Sequence, residues 1–138
     1  MILDFFGELN WLAILVATLA WFAFSAVWYS APPLSKAWAA AARVDMTGEG
    51  PPLALLFIPT LIGYAITTIV IALVAAGIGA DSVGDGVALG VTLGVGFGMV
   101  GALVSQTYEG KGSTYFLING VNAIVAYSIV GAIVSVWH

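Results

Sequence analysis

Between two long apolar runs the chain places Ser105, Gln106, Thr107, Tyr108, Glu109, Gly110, Lys111 and Gly112, a compact polar group. A carboxylate and an ammonium two residues apart can pair across a turn. A carboxylate at the edge of a bilayer can also carry a proton or a cation. We read Glu109 and Lys111 as a solvated turn, with the ion site as the alternative. A second polar group, Asn119 and Asn122, lies inside an apolar run, three residues apart and therefore on one helix face. Amides in such a place either bond to a neighbouring helix or line a polar path for a solute. Interhelical bonding is the reading taken here.

Other reactive chemistry is scarce. The chain has no cysteine, and its single histidine is His138. This leaves no thiolate metal site, no histidine-based triad, no haem ligation pair and no H-E-x-x-H metal motif. Gly94–Val95–Gly96–Phe97–Gly98 lacks the preceding strand and the glycine spacing of a dinucleotide loop. The chain is expected to be no enzyme and to need no cofactor or metal.

What must position these residues follows from composition. Of 138 residues, 62% are hydrophobic and 7% charged, against about 25% charged in soluble domains. Such a chain cannot cover itself with a water-compatible surface. Its three basic residues do not cluster, so no nucleic acid is expected as a partner. A helix crossing the hydrocarbon core needs about 20 mostly apolar residues. Four stretches qualify, at about 11–29, 53–78, 86–107 and 115–137, none holding Asp, Glu, Lys or Arg. They lack the polar–apolar alternation of a membrane barrel. The expected fold is therefore an all-α integral membrane protein: one domain, residues 1–138, built as a four-transmembrane-helix bundle. The first run follows Asp4 and Glu8 rather than a basic segment, so it is expected to be a retained helix and not a signal peptide.

Charge placement predicts an orientation. Lys36 and Arg43 lie between the first and second runs and Lys111 between the third and fourth, whereas Asp4, Glu8, Asp81 and Asp85 mark the other end. The positive-inside rule then puts both termini outside. Trp28, Tyr29, Trp38, Tyr108 and Tyr115 would form the inner aromatic belt, and Phe5, Phe6, Trp11 and Trp137 the outer one. Trp21 falls mid-helix, as a packing or lipid-facing residue. The segment from Pro32 to Val44 opens on proline and continues in good helix formers. With Lys36, Trp38 and Arg43 it predicts a short interfacial helix between the first and second spans. Asp45 to Pro52 reads as a turn. Pro59 is expected to kink the second span or mark its first turns.

The third run has glycine at every fourth position: Gly86, Gly90, Gly94 and Gly98, with Ala102 continuing the series. At about 100° per residue these and Gly101 form one stripe, while Gly96 points elsewhere. Small residues at this spacing allow another helix to approach closely, a glycine zipper. The nearest candidate partner is the fourth span, where Asn119, Asn122, Ala123 and Ala126 share a face, with Ser105 and Gln106 at similar depth on the third.

The boundary motifs resemble a bacterial family known as domain of unknown function 1761. The matching segments are "NWLA" (Asn10 to Ala13), "WYS" (Trp28 to Ser30), "KAW" (Lys36 to Trp38), "YEGK" (Tyr108 to Lys111) and "FLING" (Phe116 to Gly120). They occur in order over nearly the whole chain. The resemblance implies a small four-helix membrane protein and no activity. The glycine series is not part of the family pattern. Taken together, the sequence predicts a non-enzymatic protein of a bacterial inner membrane. It would contact membrane lipids and act as a homo-oligomer or as an accessory or scaffold subunit of a larger membrane complex. The alternative is a small channel or transporter for ions or neutral solutes.

Overall fold

The computed structural model describes residues 1–43 and 52–138. Among these the structure is helix and turn, without a strand. A 3-10 helix, Ile2–Glu8, precedes α1 (Trp11–Ser30), α2 (Pro32–Ala42), α3 (Leu53–Ile78), α4 (Val83–Glu109) and α5 (Ser113–Val136). Four of these, α1, α3, α4 and α5, are long and apolar enough to cross a membrane. The turn read at Asp45 to Pro52 lies, apart from Pro52, outside the described residues.

Local chemistry fixes where each helix starts and stops. The Asn10 side chain accepts from the Ala13 amide at 3.1 Å and caps α1. Pro32 and Pro33 open α2, where a missing amide hydrogen costs nothing. Ser82 accepts from the Asp85 amide at 3.1 Å, so α4 begins at Val83, ahead of the Gly86 start read from the apolar run. Gly79 and Gly110 end α3 and α4 in the left-handed conformation that glycine tolerates best, at φ +70° and +66°. Pro59 sits inside α3, which continues through it to Ile78.

α5 is the hub, packing against α1, α2, α3 and α4. α4 leans almost wholly on α5 and touches α3 only slightly. The core joins Ile14, Ala17 and Trp21 of α1 to Ile71 and Ala75 of α3 and to Ala126 and Val130 of α5. Trp21 is a packing residue, 6% exposed, stacked on Tyr64 with ring centroids 3.9 Å apart. The two chain ends and the turn after α3 gather at one end of the bundle, around a shared cavity. α2 and the α4–α5 turn gather at the other, where Arg43 donates to the Gly110 carbonyl at 2.9 Å.

The α4–α5 contact is backbone against backbone. A Cβ placed on Gly86 or Gly90 would come within 3.0 Å of the backbone of Gly131 or Ser128. One on Gly94 would meet the Ile124 Cα at 2.6 Å, and one on Gly98 would strike the Ala123 Cβ. Gly96 faces open space. Gly101 does too, which corrects its placement in the stripe. The cause is a π-helical segment, Gly94–Met99. A π turn takes in about one extra residue, so later positions are rotated by roughly 100° from the regular count. Past it, Ala102 lies on the partly buried side and Gly101 falls outside it.

Leucine at Gly90 should therefore force the two helices apart. We expect Gly90→Leu to lose about 1–3 kcal/mol in reversible denaturation in detergent, and Gly96→Leu to stay within about 0.5 kcal/mol of the parent. Equal losses at the two positions would contradict this packing.

Candidate functional site

The polar side chains inside the bundle converge on the seam between α1 and α5. Asn122 and Ser25, both buried, exchange contacts of 3.3 and 3.5 Å. Just over one turn nearer the α2 end, the Tyr29 hydroxyl donates to Asn119 Oδ1. Tyr29 in turn meets Trp38 of α2 edge to face, with ring centroids 5.5 Å apart. Both asparagines thus face α1. They do not reach Ser105 or Gln106, as their shared depth with α4 had led us to expect. Ser105 instead donates to Glu109 on its own helix at 2.8 Å, and Gln106 Oε1 has no hydrogen-bond partner among the described residues.

The reason is that α5 has two working faces. Asn119, Asn122, Ala126 and Val130 look towards α1 and α3, while Gly120, Ala123, Ile124, Ser128 and Gly131 look towards α4. Ala123 joins the glycine contact, opposite Gly98, and Ala126 joins the three-helix core. The residues missed from sequence were Gly120 and Gly131. Their signal was present, since they are small and 11 positions apart, close to three helical turns.

At the α2 end the charged residues make a surface cluster. Lys111 pairs with Glu109 at 2.7 Å and lies 4.8 Å from the centre of the Tyr115 ring. The Glu109 carboxylate holds the Lys111 ammonium above its ordinary range. Tyr108 projects outward, 88% exposed. Lys36 is exposed on α2 and Arg43 follows the helix in the left-handed conformation, exposed and turned to Gly110, while Ala39 and Ala42 are buried. α2, expected from sequence as an interfacial helix, packs onto the bundle through its alanine face.

Two cavities lie along the α1–α3 seam. One of about 400 Å³ opens at the end that holds the chain termini, with Ala13, Ala72 and Val134 within it and Glu8 and Asp81 at its wall. The other, of about 380 Å³, lies towards α2 and is lined by Phe22, Ser25, Tyr29, Trp38, Phe57 and Tyr64 among others. Between them Ala17, Thr68, Ile71 and Val130 pack at 0–1% exposure and close the seam. No set of three His, Asp or Glu side chains able to hold a metal occurs among the described residues. The arrangement can hold helices together and can accept an apolar molecule.

No curated protein and no solved structure matches this chain. Residues 12–135, from the first turn of α1 almost to the end of α5, match the family described as Protein of unknown function (DUF1761). That match takes in all four long apolar helices and the seams between them, and the chain belongs to the DUF1761 family.

Proposed function

We propose that this chain is a non-enzymatic membrane protein of a bacterial inner membrane, working through helix packing as a homo-oligomer or as an accessory or scaffold subunit. The observation that carries this reading is how the polar groups of the spans are used. Asn119, Asn122, Ser25 and Tyr29 bond to one another across the α1–α5 seam. These bonds commit both asparagines and Tyr29 to the seam rather than to a solute passing along the bundle. α4 supports the second half of the reading. It rests on α5 alone over most of its length, and its opposite side exposes Val91, Val95, Phe97 and Val100 to whatever surrounds the bundle. Membrane lipids and further protein helices are the partners such a face accepts.

The alternative, a small channel or transporter, draws on the two cavities placed one above the other on the same seam. Against it stands the packed layer between them. The two readings differ in a reconstitution experiment. Replacing both Asn119 and Asn122 with leucine should cost about 1–3 kcal/mol of stability in total. It should also leave the permeability of proteoliposomes to ions, water and small neutral solutes equal to that of empty vesicles, as for the parent protein. A flux that depends on the protein and vanishes in the folded double variant would replace this reading with the channel.

We place both termini outside, because Lys36, Arg43 and Lys111 all lie at the α2 end while Asp4, Glu8, Asp81 and Asp85 lie at the other. The chain has no cysteine, so single cysteines report without background. Ser82→Cys should react with a membrane-impermeant thiol reagent in intact cells and Ser113→Cys should not. The reverse pattern would invert the orientation.

A further inference from the structure

The cavity beside α2 differs from the rest of the bundle in what lines it. Elsewhere the seams are made mostly of Ala, Gly, Ile, Leu and Val, around the single indole of Trp21 packed on Tyr64 and Tyr127. Here five aromatic residues stand around about 380 Å³ of space: Phe22 and Tyr29 of α1, Trp38 of α2, and Phe57 and Tyr64 of α3. Their rings brace one another, Phe22 against Phe57 at 5.3 Å and against Tyr64 at 6.5 Å between centroids. The walls are thus flat and held in place before any ligand arrives. Aliphatic walls serve a hydrocarbon chain equally well. Aromatic walls add about 0.5–1.5 kcal/mol per stacked or edge-on pair, and only to a ligand that itself has a ring.

The polar groups narrow the class further. Ser25, 5% exposed, lines the cavity; its oxygen accepts from Asn122 Nδ2 at 3.3 Å, while its hydroxyl reaches Asn122 Oδ1 only at 3.5 Å, the outer limit of a hydrogen bond, so the O–H remains available to a better acceptor. Trp38, also in the wall, turns its ring to the cavity, and its fully buried indole N–H has no hydrogen-bond partner among the described residues. Buried donors of this kind are normally satisfied. By contrast Thr60 donates to the Leu56 carbonyl at 2.7 Å and Tyr29 donates to Asn119, so both are already engaged. No Asp, Glu, Lys or Arg lines the cavity among the described residues. A wall offering a hydroxyl donor and no ionised group selects a neutral acceptor. The lip includes Leu56 and Phe57, 48% and 43% exposed on the apolar surface of α3, so access is from the hydrocarbon side.

We propose that this cavity binds one neutral, lipophilic molecule built as a planar ring carrying carbonyl oxygen, a quinone-type amphiphile. Its ring lies among Phe22, Phe57 and Tyr64, and its carbonyl accepts from the Ser25 hydroxyl. Its apolar tail leaves past Leu56 between α1 and α3.

The test uses the full chain in lipid nanodiscs and three radiolabelled probes: decyl-1,4-benzoquinone, decylbenzene and methyl decanoate. Empty nanodiscs measure simple partition. The quinone should bind saturably, one per chain, beyond partition. Decylbenzene, with the ring but no carbonyl, should bind about fivefold or more weakly, the equivalent of one lost hydrogen bond. Methyl decanoate, with a carbonyl but no ring, should not exceed partition. Phe57→Leu keeps the apolar wall and removes a ring, and should weaken the quinone by about five- to tenfold. Ala26→Trp fills the cavity from its exposed edge and should abolish binding while the thermal midpoint in detergent stays near the parent's. Quinone uptake no greater than in empty nanodiscs would overturn the proposal. So would methyl decanoate binding as tightly as the quinone, or unchanged quinone binding in folded Ala26→Trp.

Discussion

Where α4 crosses α5, two backbones touch with no side chain between them. Gly86 and Gly131 are each other's neighbours there, and a Cβ on either would strike the carbonyl of the other. Helices in lipid gain little from hiding apolar surface, because the surrounding tails are equally apolar. They associate through close van der Waals contact and interhelical polar bonds. Glycine weakens a helix in water by about 1 kcal/mol relative to alanine. In a bilayer the helix has no aqueous alternative for its backbone, so the gain from close approach dominates. The remaining features of the bundle follow from this contact.

One of them is the π segment in α4. Positions four apart on a regular helix advance by about 40° at each step, so a series running Gly86, Gly90, Gly94, Gly98 would wind off the face of α5. The wider turn at Gly94–Met99 takes that drift back, keeping Gly98 against Ala123 and bringing Met99 beside Gly120. Another is the position of α5. With α4 drawn in on one face, the opposite face is free to carry Asn119, Asn122, Ala126 and Val130 to α1 and α3. The α1–α3 seam has no glycine stripe of its own. It is spaced by rings, and it holds two cavities, above and below the packed layer of Ala17, Trp21, Ile71 and Val130.

The sequence was most informative where a single helix decides the outcome. Long runs without charge mark the four helices to within a few residues, because length and apolarity are properties of one segment. The glycine series marks a contact face for the same reason. It was least informative where two helices decide together. The asparagine pair was correctly assigned to one face of the last helix. The helix opposite that face was not, because depth and loop length favoured α4 while the face itself pointed to α1. Gly101 was misplaced because a change of helix type within α4 leaves no mark in a count of residues. The aromatic cavity was beyond reach, since Phe22, Trp38 and Phe57 come from three separate elements. In the chain they read only as belt and span residues.

The bundle depends on α4 and α5 meeting through their backbones, and magic-angle-spinning NMR of the protein in lipid bilayers measures that contact directly. With glycine Cα and carbonyl carbons labelled, Gly86 and Gly131 should give an inter-residue carbon–carbon cross-peak at short mixing, and Gly96 should give none to α5. A spectrum in which Gly86 instead correlates with lipid acyl chains, with no peak to Gly131, would contradict it.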